Sequence, residues 1–324
     1  MSFIKDTLYK IPASPKLIAY SKEHSLPGFN GVPIYDIGKY FMNDMKQESV
    51  TMMAKGTAFT FFLALFPALM FLLSVIAYLP IDNLQTNLSD ILKEILPNAT
   101  SSLLNGIIDD IVVRRRVDML SLVFFLALFI SSNGMMGIMS SFDRSQSFST
   151  MFRERGGFAK RFTALKLTLV LLVLMLFSLA LIVAGNKLIV FLLDSFHLLN
   201  AWNVFLFSFV KYIIILFLFL NSISIIYYYG PAMNKKWRFL TPGSLLATII
   251  SIGISIIFSV FVNRFVQTNT LYGSIWAVVA LQIWIYLNTM ALLIGFELNV
   301  SIEYHKGQRL LEAIEEKDTT EEEG

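Results

Sequence analysis

Long runs of apolar residues alternate with short polar segments along most of this chain. A helix that crosses a bilayer needs about 20 mostly apolar residues, and six segments reach that length. They cover residues 56–79, 119–142, 163–193, 204–229, 244–262 and 275–300. The pattern predicts an all-α polytopic membrane protein with about six transmembrane helices. An even number of crossings places both termini on one side of the membrane.

The end of the fourth predicted span and the start of the fifth carry residues that stop and start helices. Gly230 and Pro231 follow the fourth span, where glycine accepts a left-handed cap and proline cannot continue a helix. Thr241 and Pro242 precede the fifth span and suit its N-cap and first-turn positions. We therefore expect one helix to end near Gly230 and the next to begin near Pro242.

Three regions do not cross the membrane in this prediction. Residues 1–55 form an N-terminal segment, in which helical periodicity predicts an interfacial helix over Ile34, Ile37, Phe41 and Met45. Inside the transmembrane domain, residues 56–300, the outer loop at 80–118 carries two amphipathic stretches separated near Pro97. Residues 301–324 form an acidic cytoplasmic tail, which we expect to be disordered from about residue 312.

Composition agrees with a membrane protein. Hydrophobic residues make up 56% of the 324 residues and charged residues 15%, whereas soluble domains carry about 25% charged residues. The net charge of +3 is too small to indicate a nucleic-acid partner. Because the chain has no cysteine, disulfides, cysteine-based metal sites and thiol nucleophiles are excluded.

The distribution of basic residues predicts the orientation. Eighteen lysines and arginines fall in segments on the side of the termini, against five on the opposite side, which include Arg114 to Arg116. Cytoplasmic loops of membrane proteins are enriched in lysine and arginine. We therefore expect both termini in the cytoplasm.

A polar face on the sixth span is a candidate intramembrane site, formed at helical spacing by Gln282, Tyr286, Thr289 and Glu297. A strongly polar group inside hydrocarbon costs free energy, so it indicates a functional role by default. The alternative is structural. In that case Gln282 and Tyr286 make interhelical hydrogen bonds, and Glu297 reaches water or a basic loop near the cytoplasmic interface.

Hydroxyl residues mark one face of the fifth span, at Ser244, Thr248, Ser251, Ser255 and Ser259. Small hydroxyl residues favour close helix packing, which we prefer here over a water-lined path. Asn133 is the sharpest polar candidate of the second span, with interhelical hydrogen bonding as its alternative. Pro67 removes a backbone hydrogen bond from the first span and predicts a kink.

No motif for catalysis or metal binding accompanies these residues. His24, His197 and His305 lie in separate segments without a ligand spacing such as HExxH. The sequence also has no Walker loop, GxSxG elbow or Rossmann fingerprint. We therefore expect no catalytic residue, no metal and no cofactor, and we do not expect an enzyme.

Three blocks within residues 46–307 resemble one bacterial family and stand in its order: AFTFFLALFPALMFL, YYYGPAMNKKWRFLTPGSLLAT and LYGSIWAVVALQIWIYLNTMALLIGFELN. This is the YihY/BrkB family of inner-membrane proteins, once labelled ribonuclease BN. The resemblance implies a six-helix inner-membrane protein with a structural motif at Pro67, Tyr229, Gly230, Pro231, Pro242, Gly243, Tyr272, Gly273, Trp284, Gly295, Glu297 and Asn299. The ribonuclease label finds no support, because a nuclease needs metal-binding carboxylates or acid–base residues beside a basic groove.

Two functions fit these features best, and a lipid-modifying membrane enzyme is a weaker third. The first is transport of a small solute or lipid-like envelope molecule through a polar intramembrane cavity around Asn133, Ser251, Gln282, Tyr286 and Glu297. The alternative is a non-transporting envelope scaffold or assembly factor that docks partners on the outer loop or on the charged cytoplasmic segments. Membrane lipids are the expected partners, with an anionic lipid or a small molecule as substrate and no nucleic acid.

Overall fold

The computed structural model describes residues 15–25, 28–29, 31–45, 48–76, 117–144, 155–195, 200–234, 236–268 and 273–322. Two short helices come first, α1 (Pro15–Glu23) and α2 (Ile34–Met45). The longer helices that follow are α3 (Glu48–Ile76), α4 (Val117–Arg144), α5 (Gly157–Ser195), α6 (Ala201–Tyr229), α7 (Pro242–Thr268) and α8 (Gly273–Glu322).

The long helices correspond to the predicted spans. Five of them, α4 to α8, are long and apolar enough to cross a membrane. In α3 the apolar part is shorter over the described residues and covers Val50–Leu65. The all-α polytopic membrane fold is thus confirmed, with five spans supported by helix length and composition. Nearly all of the predicted outer loop, including Arg114 to Arg116, lies outside the described residues.

The six long helices pack in chain order and close into a ring. Each helix from α3 to α7 packs on the next one, and α8 returns to pack on α3. Among the described residues, the largest fully buried side chains are those of Tyr227, Phe142 and Phe296. The rings of Phe142 and Phe296 stack with their centroids 3.9 Å apart, so α4 and α8 meet in the middle of the bundle.

Several connecting segments meet at one end of the bundle. The Arg155 guanidinium donates to the backbone carbonyls of Gly230 at 3.3 Å and Pro231 at 3.4 Å, which joins the α4–α5 connection to the α6–α7 connection. At the same end, Ile37 of α2 is buried against Ile302 of α8. The predicted topology places the α4–α5 and α6–α7 connections on the same side of the membrane as both termini, and it therefore requires these connections to lie at one end of the bundle.

The end of α6 differs from the prediction. Gly230 is not left-handed but right-handed, with φ −64° and ψ −59°, and its N–H still bonds the Ile226 carbonyl at 2.8 Å. A Cβ at Gly230 would stand 3.1 Å from the Phe142 ring. Glycine is therefore needed for close packing rather than for a left-handed turn, and Pro231, which has no N–H, follows the helix end.

The C-terminal tail is the second correction. The expectation of disorder from residue 312 is wrong, because α8 continues without a break through Glu322. The tail is rich in Glu, which favours helices, and has no proline. At 50 residues, α8 is about 75 Å long, so it extends far beyond a hydrocarbon layer of about 30 Å.

Candidate functional site

The helices α7 and α8 cross in backbone contact at two glycines. A Cβ on Gly243 would lie 2.0 Å from the Gly295 carbonyl oxygen, and a Cβ on Gly295 would lie 2.4 Å from the Gly243 carbonyl oxygen. Both distances are far too short for any side chain. The crossing therefore requires glycine at both positions and fixes how α7 and α8 align.

The N-terminus of α7 is completed by a side chain of α8. The Asn299 amide oxygen accepts the Gly243 N–H at 2.9 Å, and its amide nitrogen donates to the Thr241 hydroxyl at 2.9 Å. Thr241 and Ser244 cap each other, since each backbone N–H donates to the other's hydroxyl oxygen at 3.1 Å. The predicted N-cap at Thr241 and helix start at Pro242 are confirmed.

Tyr227 of α6 connects this crossing to the centre of the bundle. Its hydroxyl donates to the Leu292 carbonyl of α8 at 2.6 Å, and it also stands 2.6 Å from where a Cβ on Gly295 would be. The Tyr227 ring meets Phe142 and Phe296 edge to face, with centroids 6.0 Å apart in each pair. One buried tyrosine therefore ties α6 to α8.

The predicted polar residues of α8 lie at different depths. Glu297 is 3% exposed and close enough to Tyr227 to interact with it electrostatically. Tyr286 is half-buried and packs against the core cluster that contains Tyr227 and Phe296. Gln282 is half-buried, and its side-chain oxygen has no hydrogen-bond partner among the described residues.

Asn133 does not join the α7 and α8 residues. It lies exposed on α4, where its oxygen accepts a hydrogen bond from the Arg161 guanidinium of α5 at 2.6 Å. Arg161 also donates to the Phe129 carbonyl at 2.7 Å and lies 3.8 Å from the centroid of the Phe129 ring. The structure thus places Asn133 in a contact between α4 and α5.

The serine face of α7 serves two roles. Its N-terminal part is structural, because Ser244 belongs to the cap and the Thr248 hydroxyl donates to the Ser244 carbonyl at 2.7 Å. Farther along, Ser251, Ser255 and Ser259 line an open groove of about 440 Å³ together with Phe219 of α6. Of these three serines, Ser251 is buried and Ser259 exposed.

The remaining family-motif positions are spread over several elements. Pro67 is half-buried inside α3, and Gly273 is the first residue of α8. Tyr229 is partly exposed, and the Lys236 ammonium lies 4.6 Å from its ring centroid. Pro231 is buried in the α6–α7 connection, and Tyr272 lies outside the described residues.

One intramembrane residue was missed by sequence reasoning. Lys211 of α6 is 6% exposed although it lies among apolar residues, nine positions after Trp202. Its stem packs against α5, where a Cβ on Gly185 would stand 2.8 Å from the Lys211 Cδ. A single lysine inside an apolar run was the available signal, since such residues are rare and indicate function by default.

These helices and intramembrane polar residues define a multi-pass α-helical integral membrane protein. In the described part of the chain, no three His, Asp or Glu side chains come together as a metal site. The chain belongs to the BrkB family: the family model described as Virulence factor BrkB matches residues 41–320. This confirms the resemblance identified from the three sequence blocks.

A curated relative gives the same assignment. The chain is 30% identical over 257 residues to a ribonuclease-like protein, YfkH, of Bacillus subtilis (strain 168). The match covers 78% of this chain and 89% of that protein. No solved structure matches the chain.

Proposed function

We propose that this protein translocates an amphipathic, lipid-like envelope molecule in the bacterial inner membrane, with both termini in the cytoplasm. The observation that carries the proposal is the serine groove, defined by Ser251, Ser255 and Ser259 of α7 with Phe219 of α6. A groove at membrane depth that exposes hydroxyl groups offers polar contacts to a molecule arriving from the lipid.

The shape of this groove favours a lipid-like molecule over a small hydrophilic solute. The groove is open along its length, and exposed apolar side chains such as Ile256 and Val260 flank its serines. A hydrophilic solute would lose hydration without full enclosure, which costs free energy. A lipid-like molecule can keep its chains in the bilayer while its polar group meets the serines.

A second polar feature supports the same proposal. The Trp284 indole of α8 donates to the Ser255 hydroxyl at 3.3 Å, so a polar group of α8 reaches one of the groove's serines.

We propose no enzymatic activity for the protein. The name of the Bacillus subtilis relative describes it as ribonuclease-like, whereas ribonuclease chemistry needs metal ligands or an acid–base pair beside a basic groove. The serine groove has neither among its described lining residues. The scaffold alternative would dock partners on the charged cytoplasmic segments or on the outer loop, and residues 77–116 of that loop lie outside the described residues.

Translocation can be tested by filling the serine groove. In proteoliposomes, the transfer of headgroup-labelled phospholipids between leaflets is followed by a membrane-impermeant quencher. We expect Ser255→Leu with Ser259→Leu to reduce the transfer rate several-fold relative to the natural protein. The matched control is Thr60→Leu, because among the described residues the Thr60 hydroxyl donates to the Gly56 carbonyl of its own helix, 2.9 Å away.

Two results would contradict the proposal. One is a transfer rate no higher than that of protein-free liposomes for the natural protein. The other is an unchanged rate in the groove-filled variant, provided that its melting temperature shows a folded protein.

A further inference from the structure

A cleft of about 650 Å³ opens between α5, α6 and the α6–α7 connection. It lies at the end of the bundle where Arg155 joins the two connections. Three cations line it, and among its described lining residues there is no aspartate or glutamate. The cleft shares no lining residue with the serine groove, so the two are separate sites.

The three cations come from three different segments. Arg155 precedes α5, Lys166 lies in the third turn of α5, and Lys236 belongs to the α6–α7 connection. The Lys236 ammonium lies 4.5 Å from the Tyr228 ring centroid and 4.6 Å from the Tyr229 ring centroid. Cation–π contacts of this length hold the lysine in place.

The position of Arg155 is fixed as well. Its two contacts with the Gly230 and Pro231 carbonyls hold the guanidinium beside the end of α6. Two of the three positive charges are therefore placed by the fold before any ligand arrives. Such preorganisation lowers the entropic cost of binding an anion.

The rest of the cleft is mainly apolar. Val170 lies about one turn farther into α5 than Lys166, and Ile225 lies about one turn inside the end of α6, whereas the exposed Phe162 lies nearer the start of α5 than Lys166. Because α5 and α6 are membrane spans, positions farther from the helix end are deeper in the bilayer. The three cations of the cleft thus lie nearer the membrane surface than Val170, which is the deepest of its α5 residues.

We propose that this cleft binds one anionic phospholipid, with its phosphate between Arg155, Lys166 and Lys236 and its acyl chains along Val170 and Ile225. This inference rests on the proposed function and deepens it, because it names anionic phospholipids as the substrate class. The lipid would enter from the leaflet on the side of the termini.

The chemistry of the lining selects a lipid over a soluble anion. Basic side chains at a membrane surface attract anionic headgroups, and this feature alone would also suit free phosphate. Val170 and Ile225, the apolar residues farther into the helices, give nothing to a soluble ion but match acyl chains. A lipid in this leaflet likewise has its charged headgroup toward the membrane surface and its acyl chains toward the interior.

Native mass spectrometry of the full-length protein in detergent tests the site. The protein is incubated with equal amounts of dioleoylphosphatidylglycerol and dioleoylphosphatidylcholine, and the lipids that remain bound are counted. We expect the anionic lipid to be retained several-fold more than the zwitterionic one. The double change Lys166→Gln with Lys236→Gln should remove most of this preference.

Two further variants separate charge loss from structural damage. Lys39→Gln removes a positive charge from an exposed lysine of α2 and should leave the preference unchanged. Lys166→Arg keeps the charge within the cleft and should also retain it. Equal retention of the two lipids by the natural protein, or a full preference in the double variant, would overturn the proposal.

Soluble competitors identify the source of the anion. Glycerol phosphate and inorganic phosphate at millimolar concentration should not displace the bound phosphatidylglycerol. Displacement by either one at a similar concentration to the lipid would show an ion site rather than a lipid site and would overturn the inference.

Failure of this inference and failure of the proposed function give different results. If the protein shows no lipid preference but filling the serine groove slows lipid transfer, the proposal of lipid binding in the cleft is wrong and the proposal of translocation stands. If the cleft binds phosphatidylglycerol while the natural protein transfers no lipid, the site stands and translocation is wrong.

Discussion

Asn299 of α8 accepts the backbone N–H of Gly243 at 2.9 Å and thereby completes the first turn of α7. The first N–H groups of a helix have no partner within the helix, and in a buried position each needs one from elsewhere. Asn299 is 4% exposed and also holds the Thr241 hydroxyl at 2.9 Å. One amide therefore joins the start of α7 to the middle of α8.

Replacing this amide should destabilise the bundle. Asn299→Ala leaves the Gly243 N–H buried without its partner, which costs about 1–3 kcal/mol. We expect a clearly lower melting temperature in detergent, measured by tryptophan fluorescence. Asn221→Ala is the control, because the Asn221 amide donates to the Phe217 carbonyl of its own helix on an exposed face. Equal shifts for the two variants would refute the capping role.

The glycine crossing gives a second prediction. A methyl group at Gly295 would lie 2.4 Å from the Gly243 carbonyl oxygen and 2.7 Å from the Ala247 Cβ. Overpacking of this kind costs about 1–3 kcal/mol, so Gly295→Ala should lower the melting temperature and the yield of folded protein.

Gly253 on α7 is the matched control for Gly295. A Cβ there meets nothing within 4 Å, and alanine is favoured over glycine in a helix by about 1 kcal/mol. Gly253→Ala should therefore leave the melting temperature unchanged or raise it. A loss of stability in Gly253→Ala as large as in Gly295→Ala would show that the crossing is not the cause.

Sequence patterns predicted the helices better than their ends. Hydropathy located the long helices because apolar residues must face lipid, and the Thr241–Pro242 pair located the start of α7 because its chemistry is local. The start of α5 was placed at residue 163, although the helix begins at Gly157. Lys160 and Arg161 lowered the hydropathy there without ending the helix.

The site was harder to predict because its contacts join residues far apart in sequence. The resemblance marked Gly243, Gly295 and Asn299, but no one-dimensional pattern shows that an amide 56 residues away caps α7. Asn133 illustrates the opposite case. Its polarity suggested a transport cavity, whereas its partner Arg161 became visible only when α5 packed beside α4.

The contact between Asn133 and Arg161 can be measured by a double-mutant cycle. Asn133→Ala and Arg161→Gln, alone and combined, should show a coupling energy of about 1–2 kcal/mol in unfolding experiments, since a hydrogen bond to a charged group is stronger than a neutral one. Lys160→Gln combined with Asn133→Ala serves as a control, because Lys160 pairs with Asp143 instead. Coupling near zero in both cycles would leave Asn133 open to a transport role.

Lipid-transfer measurements can test the role of Glu297 and Gln282, two polar residues of α8. We expect Glu297→Gln and Gln282→Leu each to lower the transfer rate several-fold while keeping the melting temperature, if the polar face of α8 takes part in translocation. Glu303→Gln is the control, because Glu303 is half-buried and pairs with Lys306 at 3.3 Å. Unchanged rates in both variants would remove these residues from the mechanism.

The membrane topology can be measured directly because the natural chain has no cysteine. Arg155 ties the α4–α5 connection to the α6–α7 connection, so thiols at Gly156→Cys and Arg238→Cys should react from the same side. Trp202 is the second residue of α6 and lies about 40 Å away along this 29-residue helix, so Trp202→Cys should react from the other side.

The distribution of basic residues also predicts which side of the membrane each of these thiols faces. In intact cells a membrane-impermeant maleimide should label Trp202→Cys and leave Gly156→Cys and Arg238→Cys unlabelled until the membrane is opened, because lysine- and arginine-rich connections stay in the cytoplasm. The reverse pattern would invert the orientation and place the cationic cleft in the outer leaflet. Labelling of Gly156→Cys and Arg238→Cys from opposite sides would contradict the helix packing itself.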